Sequence, residues 1–267
     1  MFTDLAAALA ADAQAGTPSR RVLDVRGIVD SPAMPRSFLN YCDAVTIEGL
    51  SFTASTITAT GTPADVVAES APKPTAATVS TQSLTLKKIA GLVSTSTEAA
   101  LSAAGLLPAI TYALGGQVLH KFDEQFVTEA ETSNGHQYAT GKMVDGILEA
   151  QGMVMAAGGN PTLIAVNPAD VSVLGASMMT TKPEDGIVAR RVWAGADVHV
   201  TAAVAKGSAV VMDPGAITTV IHKDSPAVLL DTFSGSATNT VKVIIDWFSV
   251  CHLSIPAYCV PVVASSK

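Results

Sequence analysis

The sequence predicts an α+β fold, and three stretches of its 267 residues carry that prediction. Residues 43–86 alternate as two strands do and are rich in Thr and Ser. An apolar stripe at Ile110, Leu114, Val118, Phe122 and Phe126 marks a single long helix. From Met143 onward, helices and strands follow one another and close in a long hairpin over residues 225–260.

In the first stretch Val45 and Ile47 share one face. Leu50, Phe52 and Ala54 follow after a register slip at Gly49, and Ile57 and Ala59 continue the pattern. The second half resumes at Val79 and runs through Leu84 and Leu86 into Ile89. Between the halves lies Thr62 to Thr75, punctuated by Pro63, Pro72 and Pro74. Phe52 is the segment's one aromatic and Lys73 its one base. A lone two-stranded ribbon cannot bury enough apolar area to offset the entropy of ordering it, so this arm needs a surface other than its own.

Glu98 to Ala104 reads as a short helical turn behind Ser94, Ser96 and Thr97, which are candidate caps. Pro108 suits the first turn of a longer helix, 108–129, about 30 Å long at 1.5 Å per residue. Its apolar residues recur every fourth position, a longer period than the helix itself, so the stripe winds and meets different partners along its length. A helix through Ile147, Leu148, Met153 and Val154 stops at Gly158-Gly159. A short buried strand, Thr162 to Val166, follows, and Asn167-Pro168 supplies a cap and a first-turn proline to a second short helix, Ala169 to Leu174. Residues 176–191 read as an exposed loop. Strands are expected at Asp197 to Thr201 and Ser208 to Met212, then at Ala227 to Asp231 paired with Val241 to Leu253, and finally at Ala257 to Val263.

Composition narrows the function. Hydrophobic residues make up 48% of the chain and charged ones 15%, with a mean hydropathy of +0.38. Soluble monomers usually carry about a quarter charged residues. A membrane span would need roughly 20 consecutive apolar residues, and the best runs break within about a dozen. The reading that remains is a surface largely buried against neighbouring subunits. A net charge of -7 and a pI near 5.1 argue against a nucleic-acid reader. Arg20, Arg21, Arg26 and Arg36 read as solvated or salt-bridging, with a local anion contact as the alternative. Cys42, Cys251 and Cys259 lack metal-ligand spacing and read as buried thiols in a reducing compartment. The N-terminal MFTDLAAALAADAQAG has no leading basic residues, so it reads as a short amphipathic helix on an arm rather than as a signal peptide.

No residue is nominated as catalytic, cofactor-binding or metal-ligating. His120, His136, His199, His222 and His252 show no ligand spacing, and no HExxH, GxSxG, GxxxxGK[ST] or strand-linked GxGxxG occurs. Asp123 and Glu124 are adjacent on a helix and do not face each other. Serine, histidine and aspartate are all present, yet nothing in the sequence orders them into a triad.

The order of parts, with LIAVNPADVSVLG (163–175) as strand-to-helix step and SPAVLLDTFSGSATNTVKVIIDWFSVCHLSIPAYCV (225–260) as closing hairpin, resembles the major capsid proteins of tailed bacteriophages, a fold shared with encapsulins. The resemblance runs from about Asp43 onward and rests on element order and texture. It implies an N-terminal arm (1–42), an extended loop (43–86), and a peripheral domain (87–144 and 223–267) carrying a spine helix at 108–129. An axial domain at 145–222 completes the division. It further implies a non-enzymatic shell protein that partners itself in hexamers and pentamers, meets a portal and possibly separate scaffolding or decoration proteins, and encloses double-stranded DNA without reading its sequence. No cofactor and no membrane are implied, and the location is the virion, after assembly in the host cytoplasm. Several family members begin with a long scaffolding segment that a protease removes. Here residues 1–42 alone precede the loop, so either a separate scaffold or a processed end is expected. Some relatives join a loop lysine to a peripheral-domain asparagine; Lys73 and Asn239 are the pair available, and no such bond is expected. An encapsulin-like nanocompartment shell, a surface adhesin and a hydrolase built on 145–222 are the alternatives.

Overall fold

The computed structural model describes residues 19–22, 36–42, 44–59, 65–102, 106–138, 142–177, 179–180, 191–232, 234–235 and 238–264. In chain order the strands are β1 (Ser19–Val22), β2 (Ala44–Ile47), β3 (Ser51–Ala59), β4 (Ala77–Thr85), β5 (Lys87–Ser96), β6 (His136–Tyr138), β7 (Leu163–Val166) and β8 (Met179–Thr180). There follow β9 (Arg191–Trp193), β10 (Ala196–Val200), β11 (Ser208–Met212), β12 (Ile217–His222), β13 (Ala227–Asp231), β14 (Thr240–Leu253) and β15 (Cys259–Ala264). The α-helices are α1 (Thr97–Ser102), α2 (Leu106–Ala130) and α3 (Met143–Ala156).

β14 organises the first sheet because it is long enough, at 14 residues, to take two partners end to end on one edge. There it pairs with β13 from Ala227↔Asp246 to Asp231↔Lys242, then with β12 from Ile217↔Leu253 to Ile221↔Ser249. Its other edge pairs with β5 from Ser96↔Thr240 to Lys87↔Ser249. β2 extends β12 in parallel and β1 extends β13 antiparallel, so a piece of the N-terminal arm lies in the subunit's own sheet. Val241, Val243, Ile245 and Trp247 alternate inward, while Lys242, Ile244, Asp246 and Phe248 turn outward and are half-buried.

Helix α2, 25 residues and about 37 Å long, lies on the inward face. All five residues of its predicted stripe are buried. As the winding requires, they meet different partners in turn. Leu114 packs on Gly91 of β5, where an added Cβ would stand 3.0 Å from Leu114 Cδ2. Phe122 lies 6.0 Å from Trp247, and Phe126 stacks at 4.1 Å on Phe38 of the short 3-10 turn Phe38–Asn40. Ser96 caps α1, its Oγ accepting from Ala99 N at 3.1 Å.

The second sheet has the order β6-β15-β11-β7-β10-β9-β8. β7, the fully buried LIAV, sits near its centre between parallel β10 and antiparallel β11, which is why it reads as an unbroken apolar run. Helix α3 covers one face with Met143, Ile147, Ala150 and Val154. Gly158, at φ +93, ends it as the glycine pair predicts.

Sheet membership does not follow chain order. β12 belongs to the first sheet, whereas β6 and β15 join the second. The segment after Asn167 is a 3-10 run, Pro168–Ser177, broken at Gly175; Asn167 Oδ1 caps it, accepting from Ala169 N at 2.9 Å, and the Asp170 carboxylate is held by Gly207 N at 2.6 Å. The expected helix at 1–16, Arg26 and most of the loop 176–191 lie outside the described residues.

Candidate functional site

The two-stranded ribbon forms as its alternation predicts. β3 and β4 pair from Ser51↔Thr85 to Ala59↔Ala77 and join neither of the large sheets. Its root is anchored on its own subunit, which supplies part of the surface that such a ribbon needs. Phe52 and Leu84 pack over Leu86, Val220 and Val250, and Ala54 is buried. Ile57 N donates to Ser254 O at 2.7 Å. His252, itself buried, reaches both strands: its Nε2 lies 3.0 Å from Thr56 Oγ1 on β3, and its Nδ1 lies 3.2 Å from Gln82 Nε2 on β4.

From Ile57 outward the ribbon's side chains lose their cover, although the Ile57 backbone is still tied to Ser254. Val79 is 64% exposed, its cross-strand partner Ile57 is 40% exposed, and Val66 toward the tip is 97% exposed. Beneath the ribbon runs a groove of about 720 Å³ with no charged residue in its lining, bounded by Ile57, Ala59 and Ala77 on one side and Met153, Ala157 and Tyr258 on the other.

A second polar cluster is buried under α2. The Asp123 carboxylate accepts from Ser37 Oγ at 2.6 Å and Phe38 N at 3.0 Å, and lies 3.0 Å from His199 Nε2. It thereby ties the segment ahead of β2 to the long helix and to β10. His199 Nδ1 has no partner among the described residues, so the neutral ring with its proton on Nε2 suits the site. Ser, Asp and His do meet here, but in the wrong order for acyl transfer. Aspartate stands between the other two, serine donates to aspartate rather than to histidine, and all three side chains are buried.

The remaining singled-out residues have local partners. His120 pairs with Glu124 at 3.3 Å and His136 with Glu149 at 2.7 Å, while His222 Nε2 donates to Glu48 O at 2.8 Å. Lys121 bonds to the Glu124 carboxylate and holds it below the usual carboxylate range. Arg36 donates to Tyr41 Oη at 3.2 Å. Burial raises the Cys251 thiol and pushes Cys259 up to about 12, and all three cysteines are free and buried. Asn239 sits in the left-handed region at φ +52, its amide donating to Glu98 Oε1 at 2.5 Å; Lys73 is exposed on the stretch beyond the ribbon. Among the described residues no group of three His, Cys, Asp or Glu could hold a metal, and no helix is long and apolar enough to cross a membrane.

The architecture matches solved structures over nearly all its length. A chain from Mycobacterium phage Ogopogo aligns with a TM-score of 0.62 at 16% identity, covering 85% of this chain and 91% of its own. The virus-like particle from Pyrococcus furiosus aligns with a TM-score of 0.61 at 12% identity, covering 97% and 98%. The capsid of an empty GTA particle aligns with a TM-score of 0.59 at 14% identity, covering 86% and 90%. No protein-family model matches the chain, and no curated protein does. The fold is that of shell-forming capsid subunits. More particularly, it is the α+β arrangement that the phage Ogopogo chain and the GTA capsid chain share with this one.

Proposed function

We propose that this chain is the major capsid protein of a tailed bacteriophage, self-assembling into an icosahedral shell around double-stranded DNA. The observation that carries this reading is the ribbon, anchored at its root by His252 and Ser254 and bare beyond it, on a fold shared over most of its length with a virus-like-particle chain and a GTA capsid chain. In the shell the bare part lies across a neighbouring subunit, where Val66, Val79 and Ile57 leave water. Burying a side chain of this size is worth about 1.5–3 kcal/mol. Each subunit makes the contact once and receives it once, so a modest gain is repeated throughout the particle. The acidic chain suits a container, since a basic wall would grip the packaged phosphates.

Within this reading residues 1–42 form the N-terminal arm, 43–86 the extended loop, 87–144 with 223–267 the peripheral domain, and 145–222 the axial domain. The subunit acts as structure rather than catalyst, and its partners are itself in hexamers and pentamers, a portal, and separate scaffolding or decoration proteins. It assembles in the host cytoplasm and resides in the virion. A nanocompartment shell is the second reading, favoured by the end-to-end match to the Pyrococcus furiosus virus-like particle. Cargo separates the two: packaged DNA for one, an enclosed protein for the other.

The test replaces Gly61 to Pro74 with a short Gly-containing turn. Circular dichroism is expected to stay unchanged while particle yield on a sedimentation gradient collapses. Normal particles from the shortened chain refute the clamp, and a globally unfolded chain shows instead that the tip belongs to the core.

A further inference from the structure

His252 occupies a position that no structural need of β14 explains. A strand residue buried between a ribbon and a helix could be apolar; instead it is an imidazole with both nitrogens engaged by the ribbon. Gln82 Nε2 is an amide donor, so at 3.2 Å it requires Nδ1 to be an acceptor. The proton of the neutral ring then sits on Nε2 and points at Thr56 Oγ1, 3.0 Å away. Because Gln82 pairs with Ala54 and Ser80 with Thr56, the two contacts fall on opposite strands and two register pairs apart, gripping the ribbon on the diagonal.

The same nitrogen has a second, charged neighbour. Glu129 Oε1 of α2 lies 3.6 Å from Nδ1, which in the neutral ring has no proton to give it, and it accepts from Leu253 N at 2.9 Å. The other elements around His252 bring no charge to it: β3 offers Thr56, β4 offers Gln82, and β12 places Thr218 opposite it in the ladder. Beside it in β14 stands the buried Cys251 thiol, raised by burial and therefore neutral. Glu129 shares its own cavity with Lys87, Lys121 and Glu124.

We propose that His252 is a proton-operated clasp that sets the pose of the ribbon on its subunit. With the ring neutral, Nδ1 accepts from Gln82 and Nε2 donates to Thr56, and both strands are held. A proton added at Nδ1 turns that acceptor into a cationic donor, which cannot receive the Gln82 amide and is drawn to the Glu129 carboxylate. β4 loses its side-chain tether to β14 and keeps its ladder to β3 and the packing of Leu84 at the root, β3 stays tethered through Thr56 and Ser254, and the outer ribbon turns about β3. The consequence for assembly rests on the shell reading, because the ribbon's pose then decides how it meets a neighbour. The clasp itself belongs to the single subunit.

The experiment measures amide hydrogen exchange of residues 51–59 and 77–85 in the unassembled full-length chain from about pH 8 to about pH 5, a span that brackets ordinary imidazole titration, with rates corrected for the intrinsic pH dependence of exchange. Protection of β4 is expected to drop on acidification by about fivefold, the equivalent of one hydrogen bond. Protection in β14 should hold. His252→Gln, which keeps one donor and one acceptor but cannot titrate, should abolish the step. Gln82→Leu should lower β4 protection at every pH and leave no step, and it serves should His252→Gln fail to fold. A flat profile in the wild-type chain, as a flip of the Gln82 amide would produce, overturns the clasp; so does an undiminished step in either variant. Particle yield is not used, so a failure of the shell reading would leave these profiles unchanged and a failure of the clasp would leave assembly intact.

Discussion

Removing the Asp123 carboxylate should show how firmly the segment ahead of β2 is fastened to the body. Three donors converge on that one side chain: Ser37 Oγ at 2.6 Å, Phe38 N at 3.0 Å and His199 Nε2 at 3.0 Å. In Asp123→Ala all three are left buried without an acceptor, each at about 1–3 kcal/mol. Relaxation reduces the sum, and removing one member of a buried charged cluster typically costs about 3–5 kcal/mol. Asp123→Asn is milder. Its Oδ1 can still accept from Ser37 and Phe38, but its amide then faces His199 Nε2 and forces the ring's proton onto Nδ1, where it has no partner; about 1–3 kcal/mol is expected. Ser37→Ala alone should cost about 1.5–3 kcal/mol, as a hydrogen bond to a charged group does. In the Asp123→Ala background it should cost almost nothing, because the acceptor is already gone. Urea unfolding of the dispersed chain reads all four. A loss below about 1 kcal/mol for Asp123→Ala, or additive losses for the double variant, would refute the convergence on Asp123.

Other outcomes are equally definite. Gly146→Ala should destabilise despite the helix propensity gained, about 1 kcal/mol, because the new Cβ would stand 2.6 Å from Tyr138 Cβ, an atom too near the backbone to swing away; a raised melting temperature would contradict this. The cysteines should resist thiol reagents at about pH 8 in the native chain and react fully in denaturant, since burial keeps Cys251 and Cys259 protonated well above that pH. A reagent titration counts them. Denaturing gels of mature particles should show one band at 27.2 kDa, because the Asn239 amide is already bonded to Glu98 within its own subunit; a ladder of covalent oligomers would establish a bond to Lys73 after all.

The parts of the fold visible in the sequence are those fixed by short-range periodicity. The ribbon, α2 with its winding stripe, LIAV and the β13–β14 hairpin each announce themselves through strand alternation, helical spacing or an unbroken apolar run. β5 was hidden because its outward positions, Lys88, Ala90, Leu92, Ser94 and Ser96, mix charged, small and apolar side chains and its inward ones include Gly91. β12 was hidden because Thr218 and Thr219 interrupt its apolar run. β1 is recognisable only through the edge of β13 to which it adds. Composition foretold the exposed ribbon, but the grip of His252 on it was illegible: Thr56, Gln82, Glu129 and His252 are brought together from four separate elements, and no local pattern links them. The same holds for Ser37, Asp123 and His199. A histidine in an apolar strand was the one available hint.

The length of β14 also matters for how a pressurised wall would carry load. At about 3.3 Å per residue the strand spans roughly 46 Å, from the turn beside α1 to the ribbon's root at Ser254. A pull on the ribbon enters at His252 and Ser254 and travels along the strand axis. β5 grips one edge over ten consecutive register pairs, and β13 and β12 grip the other over five each. Force applied along a strand loads such a ladder in shear, so its bonds must yield together, whereas a pull across the sheet would open them one after another. In the proposed shell β14 would therefore be the tensile member of the subunit, and its outward-facing Lys88–Asp246 pair, closed at 2.9 Å, a rivet placed midway along it.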